Sequence, residues 1–311
     1  MFDMTAAVKR VSVIIAAYHS DAVIEGCLEA LRKQTIHNFE VIVVNSSPED
    51  RTRGIVTTRF PEVRFLESTT RLLPHAARNQ GVRVAVGSFL AFTDADCRGA
   101  PDWIERLLEA QIKGHEVVCG SIEPEGTSWF ELGIHLCKYS FRLSALPGGP
   151  CTLAGTANAC YSRRVWDTVG PFNGDRFAGD ALLSWNASKH GWKPWFEPRA
   201  VVRHRFHPGI ADFWRERLER GADFAEARAE FEGWSRLRLA TYLVAAPLLL
   251  LVPLLRGGRD AFQCGWVRSF ISTMPLQLLG HLGWSLGETR MHWRLLAGHG
   301  KYGTDCHLTR G

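Results

Sequence analysis

The chain has no Cys-x-x-Cys pair and no cysteine–histidine cluster at zinc-finger spacing, although it contains eight cysteines. Disulfide-stapled secreted scaffolds and zinc ribbons are thereby excluded, and the thiols read as reduced, cytosolic and mostly packing. No Gly-x-Gly-x-x-Gly follows the first apolar run, so dinucleotide binding has no support. Charge of one sign is scarcely in excess. The 37 basic residues against 32 acidic leave a dispersed net +5, which gives no ground for a nucleic-acid partner. The opening MFDMTAAVKRVSVIIAAYHSD has a short apolar run with no small-residue cleavage pattern behind it, and reads as a first strand rather than an export signal.

What is present is globular. With 46% hydrophobic and 22% charged residues, 311 residues can bury one substantial core or two unequal ones. Nearly continuous apolar runs at 11–18, 40–44, 63–66, 89–93 and 116–119 predict parallel strands covered on both faces. Helical stripes separate them: Ile24, Cys27, Leu28 and Leu31, then Ile104, Leu107, Leu108 and Ile112 behind Pro101, which suits a first helical position. The alternation predicts an α/β fold with a doubly wound, mostly parallel Rossmann-like sheet, whose ligands bind beyond the carboxyl ends of the strands. Tyr18–Asp21, Asn45–Pro48 and Asp94–Asp96 all lie at such ends.

The stretch GSFLAFTDADCRGAPDW runs an apolar strand into two aspartates, Asp94 and Asp96, that repel each other unless a cation is near. Carboxylates at i and i+2 on a turn can hold Mg²⁺ or Mn²⁺ and leave other positions to phosphate oxygens. The same pair can instead cap the turn and the following helix, and the tripeptide alone leaves both readings open.

VSVII-x-x-Y, EVIVV, Ala-Arg-Asn-x-Gly and G-x-x-x-x-F-x-D-x-D occur in the order and spacing that resembles the donor half of family 2 glycosyltransferases of the A-type fold. The resemblance spans about residues 10–210 and continues in GTANACYSRRVWDTVGPFNGDRFAGDALLSW, similar to that family's acceptor segment with its Glu-Asp pair. It implies transfer of a sugar from a nucleotide-diphospho-sugar to a glycan or lipid-linked acceptor, inverting and metal-dependent. Asp94 and Asp96 would bind Mg²⁺ or Mn²⁺, His204 would complete the metal shell, and Arg78 would face the donor nucleotide; a surface helix arginine is its alternative. Tyr18 and the turn Asn45-Ser46-Ser47 would line base and ribose, although the family usually has Asp-Asp or Asp-Asn where Asn45-Ser46 stand, and proline where Ala16 stands. Asp180 would be the general base with Gly179 in place of the glutamate, a helix N-cap being its alternative and Asp175 the reserve. Trp185, Trp192 and Trp195 read either as a sugar-stacking wall or as core.

Beyond residue 210 the character changes. Residues 211–233 predict an amphipathic helix on a membrane surface or against the domain, with Arg217 and Arg220 similar to the family's phosphate-reaching basic segment. Residues 239–255, LATYLVAAPLLLLVPLL, carry no charge, and 269–287 is a weaker apolar stretch. Both readings of this pair, a membrane hairpin or a re-entrant or interfacial arrangement, place the enzyme on the cytoplasmic side of a membrane. The expected divisions are 1–120 for the donor, 121–210 for acceptor and catalysis, 211–235 for the amphipathic helix, 236–290 for the membrane helices and 291–311 for a cytosolic tail. Gly179 and Asn45-Ser46 leave a second function open, a sugar-nucleotide-binding protein that has lost catalysis.

Overall fold

The computed structural model describes residues 11–47, 49–205 and 209–299. The lead-in before Val11, Pro48, Cys306 and the tail beyond 299 lie outside the described residues. The chain divides into two compact units, one of 1–123, 147–175 and 179–204, the other of 124–146, 176–178 and 205–311. The expected 121–210 half is therefore shared out, since 124–146 and 176–178 fold with the C-terminal helices.

The first unit is built on a nine-stranded mixed sheet. Its strands are β1 (Val11–Ala17), β2 (Phe39–Asn45), β3 (Arg64–Glu67), β4 (Phe89–Asp94), β5 (Cys97–Gly99), β6 (Val117–Pro124), β7 (Gly149–Pro150), β8 (Asn158–Ser162) and β9 (Trp195–His204). The order is β3-β2-β1-β4-β8-β6-β9-β5, with β7 on β9. Helices α1 (Ile24–Arg32), α2 (Thr52–Arg59), α3 (Pro74–Val84), α4 (Trp103–Ile112), α6 (Arg163–Val169) and α7 (Gly179–Lys189) belong to it. Apolar continuity is explained by burial: Val13, Ile14, Ile15, Ile42, Val43 and Val44 are all sealed from solvent. The ladders of β1 with β2, β1 with β4 and β2 with β3 are parallel, as expected.

The strand expected at 116–119 is not in a parallel ladder. β6 keeps the direction of β4, as the α4 crossover requires, but β8 lies between them and pairs antiparallel with both. β8 returns from the 124–146 excursion rather than from a βαβ crossover, so nothing forces it parallel. The α1 stripe is buried as predicted, whereas Ile112 is exposed at the end of α4. Pro101 precedes that helix by two residues.

The second unit is helical: α5 (Trp129–Tyr139), α8 (Ile210–Glu232), α9 (Arg236–Leu249), α10 (Leu251–Gln263), α11 (Val267–Ser272) and α12 (Met274–Leu296). α8 matches the predicted helix and stops at Gly233, whose φ of 62° gives a left-handed cap. Its buried positions are Phe213 together with small and charged residues, among them Arg217, Ala222, Asp223 and Glu226. α8 packs along α12, where an added Cβ at Gly287 would strike the Leu218 carbonyl and one at Gly221 the Trp284 carbonyl. Glycine is what lets the two backbones approach.

Neither apolar stretch is a single span. The 239–255 run breaks at Leu250 into α9 and α10, bent by 47°, and among the described residues no single helix is long and apolar enough to cross a membrane. At 1.5 Å per residue each piece is about 20 Å, short of the roughly 30 Å required. The hairpin connector RGGRDAFQ is helical within α10, and 269–287 is divided between α11 and α12, with Gln277 and His281 buried. Residues up to Leu296 of the expected tail belong to α12.

Candidate active site

Three strand ends meet along one edge of the sheet, because Ala17 is in register with Asn45 and Ala16 with Asp94. At the first end, His19 takes a φ of 50°, and its N–H donates to Ser47 Oγ at 2.8 Å. Tyr18 is exposed, with the Arg71 guanidinium 4.6 Å from its ring centre. At the second, Asn45 is fully buried. Its Nδ2 donates to the Ser47 carbonyl (3.1 Å) and to Glu67 Oε1 (3.3 Å), while its Oδ1 accepts from Ser47 Oγ (3.0 Å). Asn45 and Glu67 are cross-strand partners, so an aspartate at 45 would set two carboxylates against each other. Ser46 is also buried, its Oγ 3.5 Å from the Ala17 carbonyl.

At the third end, Asp94 closes β4 and Asp96 sits in the turn before β5. β5 runs antiparallel to β9, which puts Cys97 directly opposite His204. His204 Nε2 lies 3.5 Å from Asp96 Oδ1, and ligand atoms of Asp94, Asp96, Cys97 and His204 all fall within 4.8 Å of one another. Neither aspartate caps α4, whose N-cap position is Asp102. Burial first, then the charges of Asp96 and Asp94, push the Cys97 thiol well above its usual range.

Arg78 is no surface residue. It is buried on α3, and its Nη2 pairs with Asp94 Oδ1. Its Nη1 lies 3.4 Å from His75 Nδ1, and His75 Nε2 lies 3.9 Å from Asp180 Oδ1. A polar chain, Asp94–Arg78–His75–Asp180, thus joins the aspartate pair to the expected base. His75 escaped sequence reasoning; its spacing of i, i+3 from Arg78 was the available signal. It also accounts for Gly179. A Cβ there would lie 2.7 Å from the Asn173 carbonyl and 2.8 Å from the His75 ring, so the glutamate of the family pattern has no room.

Asp180 lies in the first turn of α7. Its Oδ1 accepts from the Ala181 N–H (2.8 Å) and its Oδ2 from the Thr156 N–H (3.3 Å). Two backbone donors orient the carboxylate while part of it stays accessible. Asp175, the reserve, is exposed with its N–H on Asn173 Oδ1. The tryptophans have separate partners: Trp195 stacks on His115 at 3.9 Å, Trp192 on His190 at 6.0 Å, and Trp185 is partly buried on α7. Arg220 belongs to the helical unit, where it pairs with Glu216 and lies over Phe177.

Residues 12–170, just over half of the chain, match the model for Glycosyl transferase family 2. The glycosyltransferase AglE of Haloferax volcanii is 28% identical over 215 residues, covering 66% of this chain and 70% of AglE. The UDP-Glc:alpha-D-GlcNAc-diphosphoundecaprenol beta-1,3-glucosyltransferase WfgD of Escherichia coli is 32% identical over 33% of this chain and 39% of its own length. Among solved structures, mannosyltransferase PcManGT from Pyrobaculum calidifontis, in complex with GDP-Man and Mn²⁺, superposes with a TM-score of 0.57 at 19% identity, covering 87% of this chain and 86% of that one. Strand order, aspartate pair and family match converge, and this chain belongs to glycosyl transferase family 2 as a glycosyltransferase of the A-type fold.

Proposed function

We propose that the chain moves a sugar from a nucleotide-diphospho-sugar to a hydroxyl of a lipid-linked or membrane-proximal acceptor, with inversion and with a divalent cation. The observation that carries this is the grouping of Asp94, Asp96 and His204 in one unit with Asp180, joined through Arg78 and His75. The donor set fits Mg²⁺ or Mn²⁺: two carboxylates and an imidazole within 4.8 Å, beside an arginine suited to phosphate. When bound, the cation neutralises charge on the departing nucleotide. Asp180 takes the proton from the acceptor hydroxyl as its oxygen bonds to the anomeric carbon. The bond from that carbon to the diphosphate breaks, and the nucleoside diphosphate leaves. Arg78 holds Asp94 in place and presents its guanidinium toward the donor phosphates. Tyr18 and the Asn45-Ser46 turn lie at neighbouring strand ends, where base and ribose would rest.

A lipid-linked acceptor agrees with the diphosphoundecaprenol-linked acceptor in the name of WfgD. The helical unit supports a membrane-facing role, which we propose on the cytoplasmic side: Leu237, Val244, Leu248, Leu255, Phe262 and Trp293 are exposed. Between 236 and 299 seven arginines stand against only Asp260 and Glu288. Such helices suit the plane of an anionic bilayer interface. Co-sedimentation with vesicles tests the membrane part: binding to anionic vesicles that high salt weakens is expected, and full-length protein indifferent to them contradicts it. For the reaction, nucleoside diphosphate release is followed across nucleotide sugars. EDTA should abolish it and Mn²⁺ or Mg²⁺ restore it; release undiminished in EDTA contradicts the metal role.

A further inference from the structure

The expected metal shell has two carboxylates and a histidine; the structure adds a sulfur. Cys97 and His204 are directly opposed in the β5–β9 ladder, and side chains of such a pair project from the same face of the sheet. Cys97 Sγ lies 3.9 Å from Asp96 Oδ1, and His204 Nε2 lies 3.5 Å from the same oxygen. A tetrahedral site with bonds of about 2.0–2.3 Å sets its ligands roughly 3.3–3.8 Å apart. The two spacings are close to that geometry; Cys97 and His204 stand on strands paired in register, and Asp96 stands in the turn that leads into β5. Cys27 offers a contrast: its Sγ lies 3.6 Å from the backbone carbonyl of Asp94, and it is absent from the cluster of ligand atoms.

We infer that Cys97 is a ligand of the cation bound here, so that the site accepts thiophilic divalent ions, Zn²⁺ and Co²⁺, through Asp96, Cys97 and His204, with Asp94 within reach as a fourth ligand. Mg²⁺ demands hard oxygen ligands in octahedral array and gains nothing from sulfur, whereas imidazole and thiolate are favourable donors for zinc. The thiol proton leaves to solvent as the metal–sulfur bond forms. In this arrangement Zn²⁺ competes with the hard cation at the aspartates. The inference rests on the divalent-cation reading of the site and adds a ligand that this reading does not require.

The test is spectroscopic and uses the full-length chain. Co²⁺ added to metal-free protein should produce the ultraviolet charge-transfer band of a thiolate–cobalt bond, and X-ray absorption of the Zn²⁺ form should show a sulfur scatterer at about 2.3 Å. Cys97→Ser should lose both signals and weaken Zn²⁺ binding by roughly tenfold or more; Cys27→Ser should keep both. If Cys97→Ser does not fold, the wild-type sulfur scatterer together with its persistence in Cys27→Ser supports the assignment. Co²⁺ binding that lacks the band, yet weakens in His204→Ala, overturns the sulfur ligand and leaves the cation site standing. No calorimetric binding of any divalent ion overturns the cation reading and this inference together. A band lost in Cys27→Ser and kept in Cys97→Ser also overturns it.

Discussion

The sheet unit and the helical unit differ in where they keep polar and apolar residues. In the first, β1, β2 and β4 seal Val, Ile, Leu and Phe on both faces, and polar groups gather where the strands end. In the second, Ile134, Phe213 and Leu276 form an apolar cluster, yet Arg217, Asp223, Glu226, Gln277, His281 and His292 are buried as well, while Leu237, Val244, Leu255 and Phe262 face outward. The difference shows that apolar sequence has two meanings. It marks a core where a sheet covers it, and it marks a surface where α8 and α12 have already packed through glycine, alanine and the hydrogen bond from Arg217 to the Gly280 carbonyl. A surface of that kind, flanked by arginine, is the basis of the membrane-facing role proposed above.

The comparison can be pressed on the buried charges. Lys138 and Glu216 meet at 2.8 Å, with side chains 13% and 25% exposed. Burial raises the Glu216 carboxyl, yet Lys138, Arg220 and Arg217 outweigh it and bring the carboxyl down to about 2. Burial, only partly offset by Glu216, holds the Lys138 ammonium below its usual range. Glu216→Gln removes the carboxylate that Lys138 and Arg220 share, so we expect a loss of about 3 kcal/mol in the helical unit, read by denaturant unfolding. An unchanged midpoint would mean that these cations are solvated.

A smaller effect comes from pH. Burial, and then Arg217 for His281 and Arg228 for His292, bring both imidazoles down to about 4. Unfolded histidine titrates near 6.5, so between about 6.5 and 4 the unfolded chain takes up protons that the folded one refuses. The stability these groups contribute is complete above pH 6.5 and is lost as pH falls through that window, each group on the order of 2 kcal/mol. The mid-acid slope of stability should flatten in His281→Gln. An equal slope in that variant would contradict the assignment.

The sheet unit was legible because its signals are local. A run such as VSVII carries its own burial pattern, and Asp94, Asp96 and Arg78 lie within motifs of a few residues. His75 was not legible, because its meaning depends on Gly179, which is distant in sequence and whose missing Cβ leaves room for the imidazole. Cys97 was passed over as packing for a similar reason, since only the β5–β9 register brings it opposite His204. β8 entered between β4 and β6 unannounced, as antiparallel insertion leaves no mark in strand composition. In the helical unit composition was legible and geometry was not. Hydropathy over 239–255 and 269–287 reported apolar length, but Pro247, the break at Leu250 and the buried Gln277 and His281 govern how those residues fold.

The central claim is that Asp180 takes the acceptor proton while the groups at 78, 94, 96 and 204 hold the donor and its cation. Its most direct test measures donor affinity and transfer separately in Asp180→Asn, which keeps the side chain's shape and removes its basicity. The account predicts unchanged binding of the nucleotide sugar and a loss of transfer of roughly 10²–10⁴-fold. Weakened donor binding with an undiminished maximal rate would contradict it.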